Sequence, residues 1–102
     1  MKVVIFNSQD EQAIGLQFRR YIEADTLFVF PFIQEGSVFH SRNVPERFDL
    51  AFLAPDRTVL WKGVLTPTLE TAPVPRGATM ALEAKEGWLS SYGIAVGRRA
   101  AF

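Results

Sequence analysis

The stretch "FDLAFLAPDRTVLWKGVL", residues 48–65, decides the fold class. In its first half Phe48, Leu50 and Phe52 alternate with Asp49, Ala51 and Leu53, the two-residue period of a pleated strand. Ala54-Pro55-Asp56-Arg57 places proline second, where its fixed φ suits a type I turn. "TVLWKGVL" then returns as the partner strand, so the stretch reads as a β-hairpin.

Outward from this hairpin the same signals recur. "KVVIF" (2–6), "TLFVFPF" (26–32) and "SVFHS" (37–41) read as strands, Pro31 placing the end of the second at an edge or bulge. "ATMALEA" (78–84) alternates with Met80, Leu82 and Ala84 inward, and "RRAAF" (98–102) is expected to close the sheet as a last strand. Residues 66–77 hold three prolines and one glycine and read as the longest loop. Two short helices complete the pattern. Ser8 and Glu11 have capping-box spacing, and Gly15 is expected to end that helix, although Ile14, Phe18 and Tyr21 would also continue it. "EGWLSSYGI" reads as a turn with a short helical piece. Seven short strands with one or two small helices predict a mainly β chain, a single-domain sandwich or jelly-roll-like barrel.

Bulk composition narrows the function classes. At 102 residues the chain is one domain with ample core material, 48% apolar with nine phenylalanines. Eleven basic residues balance eleven acidic ones, so the basic surplus that binds nucleic-acid phosphates is missing. No apolar run spans a bilayer and the N-terminus lacks a signal-peptide core, which predicts a soluble, non-secreted, cytoplasmic protein without membrane or nucleic-acid partners. One histidine and no cysteine cannot supply the usual catalytic zinc ligands, and no phosphate-cradling glycine loop occurs. Neither a metal nor a cofactor is expected. Trp61, Trp88 and Tyr92 read as core or interface anchors.

The polar knot preceding the hairpin is the candidate site. His40, Arg42, Asn43 and Asp49 crowd around one turn, offering a titratable ring, donors and an acceptor. Arg19 adds a planar fork suited to a carboxylate or phosphate. The structural alternative is that Asp49 pairs with an arginine or ties down loop amides. A Ser41–His40 hydrolase is the weakest reading, because strand neighbours point to opposite faces and no G-x-S-x-G elbow is present.

Five segments in order, "GLQFR" (15–19), "TLFVF" (26–30), "FHSRNVPERFDLAFL" (39–53), "ALEAKEG" (81–87) and "GIAVG" (93–97), carry a resemblance to a known family. The chain resembles the uncharacterised family called domain of unknown function 192 over roughly 3–97. Where that family's pattern has Trp-Met-Lys-Asn-Thr, this chain has His40, Ser41, Arg42, Asn43 and Val44, so Arg19, Asn43 and Asp49 match and Arg42 keeps the basic position. The resemblance implies a compact β-sandwich similar to a jelly roll, and no activity. The resulting expectation is a non-enzymatic module that binds a small anionic ligand through Arg19, His40, Arg42, Asn43 and Asp49. The alternative is a structural or interaction subunit of a homo-oligomer or a larger assembly such as a virus particle, to which a near-zero net charge lends itself.

Overall fold

The computed structural model describes residues 1–68 and 70–102. Its centre is the anticipated hairpin, β4 (Phe48–Leu53) with β5 (Val59–Leu65), joined by a turn in which the Arg57 amide donates to the Ala54 carbonyl at 2.8 Å. Around it stand β1 (Lys2–Ile5), α1 (Gln9–Ile14), β2 (Thr26–Phe30), β3 (Val38–His40), β6 (Thr71–Pro73), β7 (Met80–Lys85) and α2 (Trp88–Ser91). Five strands form one sheet in the order β1-β2-β7-β4-β5, in which only β1 and β2 run parallel. β3 and β6 form a separate two-stranded antiparallel sheet.

Six of the seven expected strands and both short helices form among the described residues, β6 makes a seventh, and the barrel does not close. Among the described residues β1 and β5 remain edges of the larger sheet. "RRAAF" is not a strand. It contributes one isolated bridge, Thr58 to Arg99, while the Ala100 amide donates to the Arg57 carbonyl at 2.9 Å. The proline-rich segment 66–77, read as loop throughout, contains β6. Its last residue, Pro73, sits at a strand end, where a missing amide proton is tolerated.

Both faces of the central strands are covered, which explains why all six residues of β4 are buried. Phe48, Leu50 and Phe52 enter a first core with Phe28, Phe30, Leu16 and Ile22, against which Phe39 of β3 packs. Ala51 and Leu53 enter a second core on the opposite face with Leu27, Leu82 and Leu89, covered by α2 and the C-terminal segment. The chain from β1 to β2 crosses the first face, since Leu16 and Ile22 lie in that core.

Local signals set the start and end of α1. The Glu11 amide donates to Ser8 Oγ at 3.0 Å and the Ser8 amide to Glu11 Oε1 at 3.0 Å, the reciprocal capping box. Gly15, at φ 52°, ends the helix, and a Cβ there would press on the Phe30 ring at 3.4 Å. The short helix is the one that forms.

Candidate functional site

The polar knot resolves first into separate ties. Ser41 is buried, its Oγ accepting from the Glu70 amide at 2.7 Å and donating to the Glu70 carbonyl. Glu46 accepts from the Ile22 amide at 3.2 Å, and Arg47 pairs with Glu86 at 2.9 Å. Asn43 adopts φ 61°, a left-handed conformation that asparagine tolerates. Its carbonyl accepts from the Phe18 amide at 2.8 Å, and its side-chain amide donates to Gln17 Oε1 at 3.4 Å. Arg42 is exposed at the turn. His40 Nδ1 accepts from the Arg42 amide at 3.1 Å, which leaves Nε2–H as the donor of the neutral ring. With Ser41 Oγ on Glu70 and His40 Nδ1 on Arg42, the two side chains of a Ser–His pair point to different partners.

Asp49 and Arg19 lie on opposite faces of the five-stranded sheet, so Arg19, His40, Arg42, Asn43 and Asp49 do not converge. Asp49 alternates with the first-core residues of β4 and emerges on the second face. Its Oδ2 accepts from the amides of Gly87 at 2.9 Å and Leu89 at 3.0 Å. Gly87 is the N-cap of α2 and has no side chain to cap with, so a carboxylate from β4 does so across the core. Arg19 lies on the first face, its guanidinium 4.8 Å from the centroid of the Phe28 ring and its Nη1 2.9 Å from Glu23 Oε1.

A different carboxyl holds the unusual position. Glu83 stands in the middle of β7, between register partners Phe28 and Leu50, and is 4% exposed. Because partners across an antiparallel ladder share a face, Glu83 points into the first core. Among the described residues, no group donates a hydrogen bond to its carboxyl, yet no unpartnered side-chain oxygen is fully sealed. Its oxygens therefore open on the cavity that Glu83 helps to line. Burial pushes the carboxyl up to about 8, against the pull of the Arg19 charge, which favours ionisation. At neutral pH Glu83 is mostly a neutral acid.

The cavity holds about 160 Å³ and lies between the last turn of α1, Gln17, Phe30 and β3, with His40 and Val44 on its wall. A second, more open hollow of about 480 Å³ adjoins it, sharing Gln12, Ala13, Phe30 and Phe39 and extending to Phe32. Of the residues anticipated from sequence, His40 lines the cavity directly. Arg19 acts on Glu83 through its charge, and Asn43 braces Gln17, which lines it. Glu83 was in plain view within "ALEAKEG". Its signal is a charge inside a strand, on the face opposite Met80, Leu82 and Ala84. No group of three or more His, Cys, Asp or Glu among the described residues is placed to hold a metal ion. No helix among them is long and apolar enough to cross a membrane.

Comparison with solved structures confirms the fold. A protein of unknown function from Novosphingobium aromaticivorans DSM 12444 superposes with a TM-score of 0.81 at 22% identity, covering 98% of this chain and 74% of its own. A Sinorhizobium meliloti 1021 protein named "putative transcription regulator" superposes with a TM-score of 0.71 at 20% identity, covering 95% and 78%. No curated protein matches the chain. The family model for DUF192, described as an uncharacterised ACR, matches residues 1–102. The chain belongs to the DUF192 family.

Proposed function

We propose that the protein is a small-ligand-binding module whose site is the cavity over Glu83. One observation carries this reading: a carboxyl only 4% exposed, without a protein donor among the described residues, lines a cavity of about 160 Å³. A buried polar group left unpaired costs roughly 1–3 kcal/mol, and a ligand that supplies the missing partner offsets that penalty. The walls suit a small guest, since Phe30, Val38 and Phe39 provide apolar contact while Glu83 and His40 provide a few convergent polar groups. Binding is favoured over catalysis because Ser41, the hydroxyl closest in sequence to His40, is buried and held by Glu70. The site replaces the expected anion cradle, for Arg19 is already engaged by Glu23.

The test uses three probes that share one ring: benzylamine, benzyl alcohol and benzoate, each titrated at millimolar concentration into the labelled protein. At least one is expected to produce saturable amide shifts confined to Gly15, Gln17, His40 and Glu83. Shifts that are absent for all three, or that centre on other surfaces, would sink the reading.

A further inference from the structure

Resting on that reading, we infer that the ligand of the Glu83 cavity is a small organic cation, a protonated amine with an apolar body. Its ammonium meets the Glu83 carboxylate and its body lies against Phe30 and Phe39. The inference follows from which hydrogen-bonding atoms the cavity has left to offer. Gln12 donates its side-chain amide to the Phe6 carbonyl at 3.0 Å, and Gln17 donates its own to the Ala13 carbonyl at 2.9 Å. Each glutamine keeps one N–H and its oxygen, and Gln17 Oε1 also accepts from Asn43 at 3.4 Å, so the glutamines suit either polarity. Beyond the glutamines, the polar side chains on the wall among the described residues are the Glu83 carboxyl and the His40 ring, whose Nε2–H is a donor. Glu83 is the acidic group of this lining among the described residues, buried and without a protein donor, so it calls for a donor-rich, cationic partner. An ammonium, with three N–H donors, is that partner.

Charge balance around Glu83 agrees. Its ladder partners on β2 and β4, Phe28 and Leu50, carry no charge. α1 and the turn after it contribute neutral Gln12 and Gln17, and β3 contributes His40. The fixed cation close by among the described residues, Arg19, is paired with Glu23 at 2.9 Å and packed on Phe28, and its charge favours the ionised Glu83 that an ammonium would meet. Arg42 is exposed at its turn. The size fits as well: a cavity of about 150 Å³ accepts a benzene-sized group, and this one holds about 160 Å³.

The proton balance gives the inference its signature. With its midpoint at about 8, Glu83 is about nine-tenths protonated at pH 7 in the free protein. The amine, titrating near 10, arrives already charged. Formation of the ammonium–carboxylate pair expels the Glu83 proton to the buffer, so neutral acid plus ammonium gives ion pair plus one released proton. Affinity for the amine therefore rises with pH up to about 8, close to tenfold per pH unit well below that value.

The decisive experiment is calorimetric titration of the full chain with benzylamine, benzyl alcohol and benzoate in two pH 7 buffers of different ionisation enthalpy. Benzylamine is expected to bind at least tenfold tighter than either counterpart and to release close to one proton per molecule. The Glu83→Gln variant, checked for folding by thermal unfolding, is expected to lose at least tenfold for benzylamine and to release none. Proton release by the native chain provides the same test without any variant. Binding of benzyl alcohol or benzoate at the cavity in preference to benzylamine would overturn the cation inference while leaving the binding module standing. Benzylamine binding without proton release would also overturn it. Failure of all three probes would overturn both.

Discussion

Replacing Glu83 with glutamine is expected to stabilise the protein at pH 8 and to flatten its stability between pH 5 and 8. The sign follows from linkage. Burial raises the folded carboxyl from 4.5 to about 8, so over that window the folded chain holds a proton that the unfolded chain has released. The stabilisation tied to that proton is complete below about 4.5 and is lost as pH rises through about 8. At roughly 1.4 kcal/mol per tenfold, the native protein gives up on the order of 4 kcal/mol across the window. Glutamine keeps the shape and cannot titrate, so the variant should hold a level profile. Urea unfolding of both chains at pH 5, 6, 7 and 8 reads the difference directly. Two parallel profiles would mean that Glu83 is solvated or paired in solution. A group that weakens the fold at neutral pH and lines a cavity is the kind of local inconsistency that marks a working site.

Removing the carboxylate of Asp49 should have the opposite effect. In an Asp49→Ala variant the amides of Gly87 and Leu89 lose their shared acceptor beneath a buried interface. Each orphaned donor costs roughly 1–3 kcal/mol, so a loss of about 3 kcal/mol is expected in urea unfolding. The damage should be local to the second core, because Leu89 is fully buried there and α2 covers it. Asp49→Asn should fall between, since its oxygen still accepts while its amide group faces other donors. Benzylamine binding should survive in both variants, as Asp49 lies across the sheet from the cavity. A cost within 0.5 kcal/mol for Asp49→Ala would contradict its role as the cap of α2.

These two carboxyls also show where sequence reading succeeds and where it stops. Short-range signals carry through: the Ser8–Glu11 box, the Gly15 stop, the tight turn of the 48–65 hairpin and the helical piece at Trp88–Ser91 all show in residues close along the chain, although α2 takes its cap from Asp49. β6 escaped notice because three residues in a proline-rich segment have no periodicity, and they become a strand only through β3. "RRAAF" has strand-like apolar content, yet it follows Gly97 at φ 85° and is held by an isolated bridge and a few loop bonds. For 78–84 the alternation was read as one buried face and one free face. In a central strand both faces are buried, so Glu83, on the first-core face opposite Leu82 and Ala84, is the informative residue. The knot at 40–49 grouped its polar residues by nearness along the chain. Its ties instead run to Glu70, Glu86, Gly87 and Leu89, partners about 30–40 residues away that only the tertiary fold brings near. What the knot contributes to the cavity is His40 on its wall and Asn43 as a brace.

The central claim is that Glu83 sits buried, without a protein partner, at a ligand cavity. Its most direct test is to follow the side-chain carboxyl carbon of Glu83 by NMR from pH 3 to pH 10 in the ligand-free protein. A midpoint near 8 is the expected result. A midpoint near 4.5, the ordinary value for a glutamate, would contradict it.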